Sequence, residues 1–194
     1  MLKPLQIFIC SLLACVCFTA CKDKKNENNI VVVQPDIVNN PIYKKLNKGK
    51  EPADIILYGN KKMKPKTSDV FYQNSNYPGL KDTVKAKDYT CDAYIKDGYL
   101  TINIGMGSMF GGFGFHIKCT NEKYSIEPYE WSDAEPIGKH NPVFKVIKQS
   151  LILNKNKYFM DDSIFGKVDF KIIEDQKITH IGNGYFRGKI EKSN

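Results

Sequence analysis

The sequence predicts a mainly β protein: an antiparallel meander, closed into a sandwich or a small barrel, forming a single domain behind an apolar N-terminal leader. Three observations carry this prediction. From Tyr89 onward apolar and polar residues alternate with a period of two, the spacing of a half-buried strand. Turn residues interrupt that alternation at short intervals, at Asp97-Gly98, Thr120–Lys123 and Asp161-Asp162. No segment keeps apolar residues three and four apart over a dozen positions, so no long amphipathic helix is expected.

The first element is the leader. Lys3 supplies a short positive region, and residues 5–20 are apolar except for Gln6, Ser11 and Thr19. A hydrocarbon core of roughly 30 Å needs about 20 apolar residues, so the run reads as a secretory signal peptide over 1–20 rather than a membrane span. Phe18-Thr19-Ala20-Cys21 then resembles a bacterial lipobox. That resemblance implies cleavage before Cys21 and acylation of its thiol and new amino terminus. Leu12-Leu13-Ala14-Cys15 fits the same pattern but would leave the apolar VCFTA on the mature chain, so Cys21 is favoured as the lipidation site. Each buried methylene of an acyl chain contributes about 0.8 kcal/mol, and several chains together make a stable anchor. The expected location is the cell envelope, lipid-anchored and outside the cytoplasm, with the outer membrane the preferred site.

Charge and cysteine content narrow the function classes. The chain carries 29 basic and 21 acidic residues, a net charge of +8, and loss of the leader removes only Lys3 from that balance. Nucleic acid is not the expected partner: Arg187 is the only arginine, and the bidentate guanidinium fork is the usual reader of bases and phosphates. The lysines alternate with Asn, Asp and Glu, which describes a solvated surface that also suits anionic lipid. Of six cysteines, three leave with the leader and Cys21 takes the lipid, so Cys91 and Cys119 remain. No CxxC or Cys/His ligand spacing is present, so no metal and no cofactor is expected.

Residues 21–29 form the lipidated cysteine and a polar tether, KDKKNENN, and 30–194 form the domain. Within it, 30–88 reads as irregular, with short strands at IVVV (30–33) and ADIILYG (53–59) and loop over much of 34–52 and 60–88. The strand-rich core spans 89–190. TCDAYIKDGYLTINIGM predicts two strands joined at Asp97-Gly98, a strong hairpin signal. Phe113, Phe115, Ile117 and Cys119 alternate with Gly114, His116 and Lys118, and a strand over Tyr124–Glu127 follows. Residues 127–142 read as a long polar loop; 143–154, 168–173 and 184–190 resume strand character.

Five of the fourteen glycines fall in GMGSMFGGFGF, residues 105–115. A dinucleotide fingerprint fails, because three residues rather than two separate Gly107 from Gly111 and a strand rather than a helix follows. A nucleophile elbow fails as well, since Met106 and Phe110 stand where Ser108 would need glycines. The stretch is expected to be mechanical: a face without side chains that receives neighbouring aromatics, or a joint that turns the chain between sheets. The choice bears on a candidate disulfide between Cys91 and Cys119. In a flat meander their Cα atoms lie about 9.6 Å apart, beyond the roughly 7 Å limit, and only a joint that swings the third strand lets them meet.

Two further groups of residues bear on chemistry. The stretch EPYEWSDAEP carries four acids around the only tryptophan, without the ligand order of an EF-hand. Trp131 with Tyr129 is the candidate contact patch, since exposed aromatics anchor interfaces. His116 is expected to point outward, His140 lies in a Pro-flanked loop, and His180 sits near a turn with nothing evident to orient it.

The lipobox-like FTAC, the meander and the C-terminal run FGKVDFKI…GNGYFRGKI resemble small β-rich lipoproteins of the Gram-negative envelope with no assigned activity. The resemblance covers about residues 15–25 and 89–190 and implies an envelope location; it supplies no catalytic residues. The leading expectation is a non-enzymatic binding or structural role with a protein, glycan or lipid partner. The alternatives are an envelope hydrolase whose site is formed by distant residues, and an inhibitor or immunity protein docking through the Trp131 loop.

Overall fold

The computed structural model describes residues 29–49, 65–75, 89–107, 111–120, 122–133 and 141–192. The leader, Cys21, tether residues 22–28, the strand expected at 53–59 and His140 lie outside them. One mixed sheet of nine strands curls into a half-barrel: β1 (Val32–Val33), β2 (Ser68–Asn74), β3 (Thr90–Lys96), β4 (Tyr99–Gly107), β5 (Gly111–Thr120), β6 (Lys123–Ser132), β7 (Phe144–Leu153), β8 (Ser163–Glu174) and β9 (Ile178–Lys192). Among the described residues the strands belong to this one curled sheet rather than to the two packed sheets of a sandwich.

Strands β3 to β6 make the expected meander, each antiparallel to the next. Strands β7, β8 and β9 make a second one. The long β9 joins the two. One of its edges pairs with β8; the other pairs antiparallel with β2 over His180–Phe186 and parallel with β3 over Ile190–Lys192. Short parallel pairs occur at β3–β9 and β1–β7 within a sheet that is mainly antiparallel, as expected.

The inward-facing side chains fill the barrel. Phe115 of β5 meets Phe170 of β8 edge to face, with centroids 4.8 Å apart, and Ile102, Ile104, Ile117, Ile172, Phe186 and Val70 surround them, all fully buried. Each such side chain contributes about 1.5–3 kcal/mol by leaving water, and this burial is what curls the sheet around its own apolar face.

Two elements depart from the expected loops. The helix α1 (Pro41–Lys48) occupies part of 34–52 after a 3-10 turn at Pro35–Asn39. Its start is encoded locally: Asn40 accepts a hydrogen bond from the Ile42 amide at 3.0 Å, and Pro41 stands at the first helical position. Only Tyr43 and Leu46 are buried, too short a repeat for periodicity to register. Strand β2 lies within the expected loop 60–88; it buries Ser68, Val70, Tyr72 and Asn74 on alternate positions, two of them polar, which hides the pattern.

The Asp97-Gly98 turn forms as expected, with φ of 52° and 79° at the two residues, the left-handed pair of a two-residue hairpin. A Cβ on Gly98 would meet nothing within 4 Å, so the cost of Gly98→Ala is backbone strain alone. We expect a loss of about 1 kcal/mol in urea unfolding.

The glycine stretch does not act as a joint. Strands β4 and β5 pair without a register shift from Leu100–Cys119 to Gly107–Gly112. Cys91 pairs with Ile104 across β3–β4, and Cys119 with Leu100 across β4–β5, so a whole strand and four rows of the sheet separate them. Both are buried thiols not joined to each other. Burial pushes the Cys119 thiol up to about 12. Peptide mapping without reductant should therefore recover the two cysteines on separate fragments, with Cys119 alkylating only after unfolding.

Candidate functional site: an aromatic shelf on a glycine floor

The two ends of the half-barrel differ. One end carries the Asp97-Gly98 turn, the β5–β6 turn, the Asn154–Asp162 loop and the end of β9. The N-terminal segment crosses the same end: Ile30 bridges to Lys123 of β6, while Val32 and Val33 pair with Ile152 and Leu153 of β7. The Tyr124 amide donates to the Asn29 carbonyl at 2.9 Å, and the Gln149 side chain reaches the Asn29 amide oxygen from β7. Residues 29–33 are thus a strap that ties β6 to β7 at this end. Beside the strap opens a cavity of about 370 Å³, lined by Val31, Leu100, Cys119, Leu153, Tyr158 and Phe159 among others.

The far end carries the glycines. Strand β6 continues to Ser132, five residues past the expected boundary, so Tyr129 and Trp131 stand on a strand rather than in a loop. They share its outward parity. Tyr129 lies opposite Gly114, which lies opposite Gly105; Trp131 lies opposite Gly112, which lies opposite Gly107. Each ring leans across two empty positions of the neighbouring strands. A Cβ built on Gly105 would strike the Tyr129 hydroxyl, and one on Gly112 would lie 2.7 Å from the Trp131 Nε1. The glycines are the floor on which these rings lie, which is the first of the two mechanical roles expected for them.

The shelf is fixed in place by its neighbours. The Tyr129 hydroxyl donates to the Asn103 side-chain oxygen at 2.9 Å. His116 stacks on the Tyr129 ring, with centroids 4.4 Å apart and planes 19° apart. Burial holds His116 below its ordinary value and Lys118 adds to that, so the stacked imidazole is neutral at pH 7. Lys118 pairs with Glu127 at 2.7 Å alongside. Trp131 remains 42% exposed. The structure thus brings the two candidate contact residues together, and adds His116 and Asn103, which the sequence reading had left apart from them.

On the inward side of the same end lies a polar chain that the sequence reading missed. His180, expected near a turn with nothing to orient it, is held on both ring nitrogens. Its Nε2 meets the Glu174 carboxylate at 2.8 Å and its Nδ1 meets the Tyr72 hydroxyl at 2.9 Å. A carboxylate only accepts, so Nε2 carries the proton and Nδ1 accepts from Tyr72. The arrangement has the order of an orienting acid, a base and a hydroxyl. Tyr72, however, is packed among the rings of Tyr89, Phe113, Phe115 and Phe170, and burial pushes its hydroxyl far up. A hydroxyl so enclosed and so reluctant to ionise is a structural strut.

Among the described residues no group of three His, Cys, Asp or Glu side chains converges as a metal site. No described helix is long and apolar enough to cross a membrane. Compared with known proteins, the chain matches no family model, no curated protein and no solved structure.

Proposed function

We propose that this chain is a lipid-tethered protein of the bacterial envelope, anchored through Cys21 after removal of residues 1–20, with a non-enzymatic binding role carried by the Tyr129–Trp131 shelf. The partner we infer is a glycan. One observation carries this reading: two aromatic rings lie across a glycine floor on the outer face of the sheet, with Trp131 open to solvent. Such a surface suits the apolar face of a sugar ring, and the polar row Asp92, Asn103, His116 and Glu127 runs beside it across β3 to β6. A hydrolytic role has less support, because the relay-like chain found among the described residues is sealed inside the core.

A second reading, docking on another protein, is favoured by one feature. In the strand order of the described residues β6 stands at the end of the sheet, and a strand in that place can accept another from elsewhere. Co-sedimentation with purified cell-wall sacculi, set against capture of envelope proteins, separates the two. We expect sacculus binding to fall about tenfold or more in Trp131→Ala while the circular dichroism spectrum is unchanged. Undiminished binding by that variant would remove the shelf from consideration. Independently, Cys21→Ser should move the protein from the membrane to the soluble fraction.

A further inference from the structure

Two features of the strap end bear on how the anchored domain sits. The first is chain length. Between Cys21 and Asn29 there are eight Cα-to-Cα steps, at most about 29 Å when fully extended. Asn29 is not free to add slack, since it is bonded to β6 and β7 and the next four residues pair in turn with Lys123, Glu122, Ile152 and Leu153. Strand β8 has 12 residues, about 40 Å of strand, which at the usual tilt of barrel strands gives a domain height of about 30 Å. For the Trp131 end to touch the membrane, the tether would have to run taut along the whole domain with nothing to spare.

The second feature is the surface that the strap end presents. Phe159 is 71% exposed, Met160 50% and Ile30 55%, all at this one end. The Phe159–Met160 tip is rigid. The Asp162 carboxylate accepts from the Phe159 amide at 2.7 Å and pairs with Lys155 at 2.7 Å, and the Asp162 amide donates back to the Phe159 carbonyl. Asp161, at φ 68°, turns the chain and pairs with Lys189 at 2.7 Å. Two large apolar side chains are thus held out in water by a turn built to hold them. With the backbone of the turn already held, these side chains reach the headgroup–acyl boundary without the cost of ordering the loop.

We propose that the strap end is the membrane-seating face: Phe159, Met160 and Ile30 enter the lipid interface, the domain stands on that end, and the Tyr129–Trp131 shelf points away from the bilayer. This orientation rests on the acylation of Cys21 proposed above. It places the anchor and the binding surface at opposite ends of one barrel.

The chain's only tryptophan lies at the far end and gives a built-in control. Full-length lipidated protein would be reconstituted into phosphatidylethanolamine–phosphatidylglycerol vesicles carrying a doxyl-labelled lipid. Tryptophan fluorescence would then be compared between wild type and the double variant Trp131→Phe, Phe159→Trp. Quenching should be about threefold or more stronger at position 159 than at 131, since about 30 Å separates the two ends. Equal quenching, stronger quenching at 131, or none at either position would overturn the seating. Vesicle sedimentation in the same samples reports the anchor separately: a protein that fails to sediment overturns the lipidation reading, whereas one that sediments without the expected quenching overturns only the orientation.

Discussion

Gly114→Ala should cost the fold about 3 kcal/mol, at the upper end of what overpacking in a well-filled site does. The added methyl would run into the Ile104 carbonyl oxygen and lie 2.6 Å from the Gly105 Cα, and neither backbone atom can rotate away. It would also press on the Tyr129 hydroxyl at 3.0 Å and so disturb the bond to Asn103 and the stack on His116. Gly107→Ala is the matched control. There the methyl would find the Trp131 ring at 3.6 Å, an ordinary contact, and the replacement should be neutral within about 0.5 kcal/mol or slightly stabilising, because alanine loses less chain entropy than glycine on folding. Urea denaturation of the pair distinguishes a floor that must be empty from a run of glycines that merely tolerates bending. If the two variants were equally stable, the floor would not be what holds the rings. The same pair also tests the shelf as a binding surface, since Gly107→Ala leaves Tyr129 untouched.

The elements legible in the sequence are those whose signals are local. The Asp97-Gly98 turn, the alternation from Phe113 to Cys119 and the turn at Asp161 each depend on a few adjacent residues, and each forms where expected. The shelf was half legible. Tyr129 and Trp131 were identified as a patch, and the glycines as a face that could receive aromatics, but the two were not connected. The polar run from Glu127 reads as a loop, which stops the strand five residues short of Ser132; carried on with a period of two, Tyr129 and Trp131 fall on the parity of the glycines. The curl of the sheet into a half-barrel left no local trace. It depends on β9 pairing with β2 and β3 and on the strap bridging β6 to β7, contacts between segments that are far apart in the chain. The same holds for Cys91 and Cys119, which the intervening strand β4 and four rows of an unbroken β3–β4–β5 ladder keep apart within the curled sheet.

His180→Ala should destabilise the protein by about 3 kcal/mol at neutral pH, through the lost ring and the two partners it leaves behind. The imidazole is almost fully buried, stacked on Tyr72 and edge-on to Phe144, and its removal strands the Tyr72 hydroxyl in the aromatic core, 108 residues away in sequence. Tyr72→Phe separates the terms: it keeps the packing but leaves the His180 Nδ1 without its donor, for a smaller loss of about 1–2 kcal/mol. The pH dependence supplies a sharper signature. Burial holds His180 below its ordinary value of about 6.5, against the opposing pull of the Glu174 carboxylate. The unfolded chain therefore takes up the proton first as pH falls. The contribution of His180 is complete above about pH 6.5 and is lost progressively as pH drops from there through the folded value. Denaturation followed from pH 7.5 to pH 5 should show wild type losing stability more steeply than His180→Ala. Glu174→Gln, which removes the only opposing charge bonded to the ring, should make the loss begin no later and extend further. A wild-type profile parallel to that of His180→Ala over this range would show instead that the ring takes up its proton without cost, and that the Tyr72–His180–Glu174 chain is open to water rather than sealed in the core.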